Sequence, residues 1–206
     1  MSYKIAIYGG TFSPPHIGHI SAAKAFYDEI KPDTLLIMPT FTPPHKIAYE
    51  IDPIHRFNMA RLAFSKDEGF DSAVTVSDFE LTKKSVSYTY ETLEHFASPD
   101  TKLYFLCGTD MFLTLDRWKN PDIIFGLATI VLALREDITE EMAKDIELKR
   151  RSYEENFSAE IIILKNKPIS VSSSEIRKII ASGDDTRGLI TPSVYEYIKN
   201  SGLYLN

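Results

Sequence analysis

Apolar runs alternate with amphipathic segments along most of this chain. Six runs are short and nearly continuous, which is typical of strands that are covered on both faces of a sheet. They span residues 3–8, 34–39, 73–81, 102–107, 128–134 and 160–165. Helical periodicity predicts helices over 18–30, 54–65, 87–97, 139–155, 172–183 and 192–202. The alternation of strand and helix predicts an α/β fold with right-handed crossovers and a doubly wound, mostly parallel sheet.

Length and composition narrow the function classes. A chain of 206 residues favours one domain over residues 1–206, and we place a C-terminal helical portion from about residue 171. With 44% hydrophobic and 25% charged residues, disordered and fibrous classes are excluded. The net charge of -6 argues against a nucleic-acid partner, because such partners normally require a basic face.

The cysteine content and the lengths of the apolar runs indicate where in the cell the protein is found. Cys107, the only cysteine, cannot form an intramolecular disulfide and belongs to no Cys-x-x-Cys pair, which fits a reducing cytoplasm. The N-terminal sequence lacks the apolar core of a signal peptide. The longest nearly apolar run, residues 123–134, is too short to span a bilayer and is interpreted as a buried strand with its lead-in. We therefore expect a cytoplasmic protein without a membrane partner.

The stretch "YGGTFSPPHIGHI", residues 8–20, follows the first predicted strand. Gly9 and Gly10 end that strand and permit positive φ and close approach of the backbone to a ligand. Gly18 precedes a helical run, so His19 is expected in the first helical turn, where the helix dipole favours anions. His16, three residues earlier, can point to the same side. The pattern predicts a phosphate site.

Other interpretations of this stretch are weaker. A lone histidine is usually satisfied locally, but here two histidines accompany glycines after a strand. A zinc site would need a third ligand or His-Glu-x-x-His, and neither is present beside the pair, so we predict no protein-bound metal. The stretch also lacks Gly-x-Gly-x-x-Gly and the lysine of a Walker A motif.

Further candidates should share the same sheet edge. The Pro-rich segment 39–52 follows the second strand, and "CGTD" at 107–110 follows the fourth, which places Gly108 and Asp110 where such sheets bind ligands. Asp110 could alternatively be only a helix N-cap. In "VSSSEIR", residues 171–177, a serine can cap a helix with support from Glu175, but capping leaves Arg177 unexplained.

Together these motifs resemble the nicotinate mononucleotide adenylyltransferases of bacteria, which belong to the His-x-Gly-His nucleotidyltransferase superfamily. The tetrad "HIGH" at 16–19 is joined by "PTFTPPHK" at 39–46, "DFELTKKSVSYTYETL" at 78–93, "GTD" at 108–110, "RW" at 117–118, "VSSSEIR" at 171–177 and "YIKNSGLY" at 197–204. Ser13 departs from the usual aspartate or asparagine and Ser174 from the usual threonine, but both keep a small hydrogen-bonding side chain. The resemblance covers nearly the whole chain. It implies a Rossmann-like nucleotidyltransferase fold and AMP transfer from ATP to nicotinate mononucleotide, giving nicotinate adenine dinucleotide and pyrophosphate in NAD biosynthesis.

The resemblance also implies roles for individual residues. The catalytic set is His16, His19, Lys46 and Arg177. The mononucleotide would contact Thr11, Lys46, Ser87, Tyr88, Thr89 and Trp118. ATP would contact Gly9, Gly10, Thr11, Phe12, His16, His19, Gly108, Asp110, Ser172, Ser173, Ser174 and Arg177. Taken alone, Lys46 would be a solvated loop lysine and Trp118 a core residue. Magnesium is expected to arrive with ATP, and the role of His45 is left open.

Alternative functions differ in how well they fit this sequence. The acceptor could be nicotinamide mononucleotide, or both mononucleotides, because the difference depends on one hydrogen-bonding environment. Phosphopantetheine adenylyltransferases share the first motif but are shorter and lack the combination of "PPHK", "SYT" and the tryptophan. An aminoacyl-tRNA synthetase is excluded because there is no room for an anticodon domain. A noncatalytic nucleotide-binding regulatory domain is the alternative of another class. We expect a monomer or a small homo-oligomer.

Overall fold

The computed structural model describes residues 2–42, 51–134, 138–165, 169 and 171–205. One sheet has the strand order β3-β2-β1-β4-β5-β6, and every described strand pair is parallel. The strands are β1 (Tyr3–Gly10), β2 (Thr34–Pro39), β3 (Val74–Val76), β4 (Thr101–Gly108), β5 (Ala128–Ala133) and β6 (Ile161–Ile163). The direction of winding reverses between β1 and β4, which creates the crevice where doubly wound sheets bind ligands. The predicted α/β, doubly wound, Rossmann-like fold is confirmed.

The described α-helices connect and cover these strands. They are α1 (Ile17–Ile30), α2 (Pro53–Ala63), α3 (Phe79–Thr82), α4 (Thr89–Phe96), α5 (Thr109–Phe112), α6 (Pro121–Leu127), α7 (Glu140–Phe157), α8 (Ser173–Ser182) and α9 (Pro192–Asn200). Short 3-10 turns occupy Lys66–Glu68 and Leu115–Arg117. Among the described residues, no helix combines the length and apolar character needed to cross a membrane.

The core consists of two apolar clusters, one on each face of the sheet. Alternate residues of one strand enter opposite clusters, so Leu106 packs on one face and Phe105 on the other. The first cluster joins α1, α2, α8 and α9, and the second joins α4, α5, α6 and α7. Each fully buried large aliphatic or aromatic side chain contributes about 1.5–3 kcal/mol to folding. Burial of both faces explains why the central strands are continuously apolar.

One predicted strand is wrong over much of its length. The strand expected at 73–81 ends at Val76, and residues 79–82 form α3 instead. β3 lies at the edge of the sheet, and the Ser77 hydroxyl accepts a hydrogen bond from the Phe79 N–H at 3.3 Å. That bond turns the chain away from the sheet.

The apolar run at 123–134 also divides between two elements. Its first residues belong to α6, and β5 begins at Ala128. Pro121 at the first helical position starts α6, after Asn120 with φ of 54°. Apolar periodicity alone does not distinguish a short buried helix from a strand lead-in.

Candidate active site

A cavity of about 920 Å³ opens at the carboxyl ends of β1, β4 and β5. Every predicted site residue that the structure describes lines this cavity. These residues are Gly9, Gly10, Thr11, Phe12, His16, His19, Ser87, Tyr88, Thr89, Gly108, Asp110, Trp118, Ser172, Ser173, Ser174 and Arg177. The predicted Lys46 and the neighbouring His45 lie outside the described residues. The cavity is large enough for a ligand of nucleotide size.

The first turn achieves its shape in a way that the sequence did not suggest. Gly9 and Gly10 both belong to β1, and the residue with positive φ is Phe12 at 50°, so the expectation of positive φ at the two glycines is wrong. The buried ring of Phe12 covers Gly10, where a Cβ would lie 2.8 Å from Phe12 Cζ. A glycine at position 10 therefore lets the Phe12 ring lie directly against the backbone of β1. A left-handed aromatic residue is strained and persists only where its surroundings hold it.

The rings of the two histidines pack against each other at the start of α1, tilted by 32°. His16 is the N-cap residue and His19 lies in the first turn, with their ring centroids 3.7 Å apart. The backbone N–H of His16 donates to Nδ1 of His19 at 3.2 Å. A neutral His19 ring therefore carries its proton on Nε2, which makes Nε2–H a hydrogen-bond donor. A Cβ at Gly18 would lie 3.1 Å from the His16 ring and 3.2 Å from the Ile169 carbonyl oxygen.

Both histidines are neutral at neutral pH in this structure. Burial lowers the pKa of His16 to about 4, although the carboxylate of Glu175 acts in the opposite direction. Burial also lowers the pKa of His19 well below its usual value, and the neighbouring His16 adds to that effect. The pair thus offers N–H donors to an anion without carrying fixed positive charge.

Helix α8 is tied directly to the first turn. The alternatives for its cap resolve in favour of Ser172, whose hydroxyl accepts from the Glu175 N–H at 3.2 Å. The Ser173 hydroxyl donates to the Pro14 carbonyl at 2.9 Å. Arg177 donates to the Ser13 carbonyl at 2.8 Å and to the Ser174 hydroxyl at 3.2 Å. The two candidate phosphate-binding segments therefore form one connected surface.

The opposite wall of the cavity contains the segments after β4. The N-cap of α5 is Gly108, so the interpretation of Asp110 as an N-cap is wrong. Asp110 is the second residue of α5 and is exposed at the cavity. The half-buried Trp118 makes an edge contact with Phe105, with ring centroids 6.4 Å apart, while also lining the cavity. Trp118 therefore combines core packing with a face exposed to the cavity.

Helix α4 begins at this wall with Tyr88 as its N-cap and Thr89 as its first residue. The helix predicted to begin at residue 87 therefore begins two residues later, at Thr89. The Ser87 hydroxyl accepts from the Phe41 N–H at 3.0 Å, and the Ser87 N–H donates to the Thr42 carbonyl at 2.9 Å. These bonds hold the start of the Pro-rich segment against the start of α4.

Sequence reasoning missed Arg56, a fully buried arginine on α2. It donates to the Thr11 carbonyl at 3.0 Å and to the Phe41 carbonyl at 2.8 Å, and so joins the first turn to the segment after β2. A signal was available, because Arg56 occupies the buried helical face together with Met59, Ala60 and Ala63. An arginine on an apolar stripe indicates a buried partner.

Two further cavity residues were also missed. Glu80 is buried and accepts from the Thr92 hydroxyl at 2.8 Å, and burial raises its pKa. No sequence signal identified it, because its segment had been predicted as a strand. Lys119 lines the cavity beside Trp118, and its position next to the only tryptophan was the available signal.

Within the described ranges, no cluster of three or more His, Cys, Asp or Glu side chains is arranged to hold a metal.

Comparisons with known proteins agree on one family. The cytidylyltransferase-like family profile matches residues 7–179. A Clostridium tetani protein named "Probable nicotinate-nucleotide adenylyltransferase" is 38% identical over 204 residues, covering 98% of each chain. A protein of the same name from Clostridium botulinum strain Okra is 35% identical over 202 residues, covering 97% of this chain and 98% of its own.

Solved structures add a likeness of fold. Nicotinic acid mononucleotide adenylyltransferase from Plasmodium falciparum, complexed with APC, has a TM-score of 0.77 at 20% identity, covering 98% of this chain and 97% of its own. The same protein complexed with NaAD also has a TM-score of 0.77, at 21% identity and the same coverage. Given the profile match and the two near full-length relatives, the chain belongs to the nicotinate-nucleotide adenylyltransferase family, within the cytidylyltransferase-like group.

Proposed function

We propose that this chain transfers AMP from ATP to nicotinate mononucleotide, forming nicotinate adenine dinucleotide and releasing pyrophosphate. The observation that carries this proposal is the single cavity that brings the His16–His19 pair and Arg177 together with Trp118 and the start of α4. One side offers donors for phosphates, and the other offers an aromatic ring and a helix N-terminus. A dinucleotide product needs both.

The chemistry is an in-line displacement at phosphorus. An oxygen of the mononucleotide 5′-phosphate forms a bond to the α-phosphorus of ATP, and the bond from that phosphorus to the pyrophosphate oxygen breaks. The nucleophile is already anionic, so the reaction needs no general base, which agrees with histidines that are neutral N–H donors. Catalysis then depends on alignment of two anions and stabilisation of charge on the transferring group.

The phosphate side supplies the donors for ATP. We assign the Nε2–H of His19 to the α-phosphate, with His16 and Thr11 positioning the same group. Arg177 would exchange its bonds to Ser13 and Ser174 for the β and γ phosphates. Lys46 is proposed to assist the leaving pyrophosphate.

The remaining ATP contacts follow from the lining of the cavity. The backbone of Gly9, Gly10 and Phe12 would lie along the phosphates, and the serines of α8 would add hydroxyl donors. Gly108 allows a ligand to approach β4 closely, since a Cβ there would meet nothing within 4 Å. Asp110 would accept hydrogen bonds from the ribose hydroxyls.

The mononucleotide is proposed to occupy the opposite wall. Trp118 would stack on the pyridine ring, and the N–H groups at the start of α4, with the Thr89 hydroxyl, would receive the carboxylate. Ser87 and Tyr88, directly before Thr89, would contact the mononucleotide at the same helix start. Magnesium is treated as part of the ATP substrate, and a cavity lined by hydroxyls, amides and cations fits a metal that reaches the site on a triphosphate.

The decisive experiment measures the initial rate of pyrophosphate release from Mg-ATP with nicotinate mononucleotide or nicotinamide mononucleotide. A strong preference for the acid is expected. Equal rates would indicate dual specificity. ATP binding without release in the presence of either acceptor would overturn the proposal in favour of a noncatalytic nucleotide-binding domain.

The role of His19 has its own test in the same assay. His19→Ala should lower kcat by about 10² to 10³, because one donor to the transition state is lost. His95→Ala is the control, since His95 lies at the end of α4 and stacks on Phe79 outside the cavity. A His19→Ala rate within threefold of wild type would contradict the assignment.

A further inference from the structure

Lys119 is a cation at the wall of the cavity that we assign to the mononucleotide. Its Nζ lies 4.2 Å from the ring centroid of Tyr88 and 5.7 Å from that of Tyr90. The two tyrosine rings are tilted by 35° with centroids 6.1 Å apart, so they form a platform for the ammonium group. Cation–π attraction of this kind holds an otherwise flexible lysine head near one position.

Lys119 forms no direct ion pair with a carboxylate among the described residues, although its charge helps to lower the pKa of the nearby Glu91 carboxyl. Glu91, the nearest acidic residue on α4, already forms an ion pair with Lys83 and accepts from the Tyr90 hydroxyl at 3.0 Å. Asp116, on the other side of Trp118, is paired with Lys149 at 2.8 Å. The ion pairs formed among the described residues do not include Lys119. Its positive charge is therefore available to an anionic ligand.

The position of this charge matters because the two candidate acceptors differ by one charge. Nicotinate carries a carboxylate where nicotinamide carries a neutral amide. N–H groups at the start of α4 can donate to either oxygen, and the helix dipole adds only about 0.3–1 kcal/mol of preference for the anion. A fixed ammonium beside Tyr88, the N-cap of α4, stabilises the carboxylate but gains little from the amide.

We propose that Lys119, held on the Tyr88–Tyr90 platform, sets the preference for the acid over the amide of the pyridine mononucleotide. The inference rests on the mononucleotide site proposed above. Lys119 acts as a specificity residue that contacts the substrate carboxylate. The transfer of AMP itself does not depend on it.

The test uses the full-length chain and compares kcat/KM for the two mononucleotides in Lys119→Met. The ratio of acid to amide should fall about tenfold, mainly through a higher KM for the acid, while the amide value stays within twofold. Lys119→Arg should retain most of the preference. Lys144→Met, on the exposed surface of α7, should match wild type.

The platform provides an independent readout. Tyr88→Phe keeps a ring beneath the ammonium and should keep the ratio, whereas Tyr88→Leu should lower it because Lys119 loses its support. The loss in Lys119→Met should also shrink as salt concentration rises, since screening weakens the interaction that the variant removes. If Lys119→Met instead lowered the ratio by disturbing the local structure, the loss would not depend on salt concentration.

Three outcomes would overturn the inference. The first is an unchanged ratio in Lys119→Met in an enzyme that uses the acid well, which leaves the proposed function intact. The second is a fall in the ratio for Arg117→Met but not for Lys119→Met, which would assign selectivity to the other exposed cation of this wall. The third is failure of the wild-type protein to release pyrophosphate with either acceptor, which removes the proposed function as well.

Discussion

The imidazole of His16 is buried against that of His19, and this burial has a consequence for stability. Burial holds the pKa of His16 at about 4, below its usual 6.5, so the unfolded chain binds a proton more readily between those values. Stability from this group is present above pH 6.5 and is lost as pH falls towards 4. From pH 7 to pH 5 we expect His16 alone to account for a loss of about 2 kcal/mol in the free energy of unfolding.

Urea unfolding at pH 7 and pH 5 checks this expectation. The pH-dependent loss should be smaller by about 2 kcal/mol in His16→Gln than in wild type. His95→Gln, which changes a histidine outside the cavity, should keep the wild-type loss. If His16→Gln lost as much stability as wild type, the neutral buried state of His16 would be wrong.

Single residues show where sequence reasoning succeeds and where it stops. The proposed phosphate-binding pattern could be located from the sequence because "HIGH" follows a strand within a few residues, so local order fixes its position. Phe12 was readable as a member of the motif but not as its left-handed residue, because two flexible glycines stood nearby. The bonds from Arg56 to Thr11 and Phe41 depend on how α2 docks, which local pattern does not specify.

At the scale of elements, Gly18 in the first turn of α1 is closely surrounded, so an added side chain would be tightly contacted. A Cβ there would lie 3.1 Å from the His16 ring and 3.2 Å from the Ile169 carbonyl oxygen, so one of them must shift. Gly18→Ala should therefore displace His16 and lower kcat/KM by about 10-fold or more, because small misplacements at a reacting centre are costly. Steady-state kinetics with ATP and nicotinate mononucleotide measures the effect.

Gly126 provides the matched control for that substitution. It is an exposed helical glycine on α6, and a Cβ there would meet nothing within 4 Å. Gly126→Ala should leave activity unchanged and raise stability by up to about 1 kcal/mol through helix propensity. Equal kinetics for Gly18→Ala and wild type would show that the His16 ring accommodates a methyl group without consequence.

Strands could be predicted from the sequence where both of their faces are buried. Central strands such as β1 and β4 are covered on both faces, which produces the continuous apolar runs seen in the sequence. The edge strand β3 lacks that signature, and its true end is set by the bond between Ser77 and Phe79. Short helices such as α3 and α5 span four residues each, which is too few for helical periodicity to appear.

Across the whole molecule, the C-terminal portion is connected to the first turn by contacts that no local pattern contains. The Ser13 hydroxyl and the Tyr204 hydroxyl lie 3.0 Å apart across 191 positions of the chain. Arg177 reaches the Ser13 carbonyl from α8. The sheet topology could be predicted from the alternation of strands and helices. These long-range hydrogen bonds could not, because they depend on tertiary packing of α8 and α9 against α1 and α2.

That shared packing leads us to propose that residues 1–206 unfold as one domain, and the two core clusters allow a direct test. Ile198 on α9 is 2% exposed and belongs to the first cluster, whereas Trp118 packs against the second, on the opposite face of the sheet. Ile198→Ala should cost about 2–5 kcal/mol. If the chain is one cooperative unit, Trp118 fluorescence must report the destabilisation although the substitution lies on the other face.

Thermal unfolding followed both by Trp118 fluorescence and by far-UV circular dichroism makes the comparison. Both midpoints should fall by the same amount in Ile198→Ala, and the two curves should coincide in wild type. Tyr195→Ala, which changes an exposed side chain on the same helix, should leave both midpoints nearly unchanged, because little buried surface is lost. A lower circular dichroism midpoint with an unaltered fluorescence midpoint would mean that the C-terminal helices unfold separately from the sheet that carries the cavity.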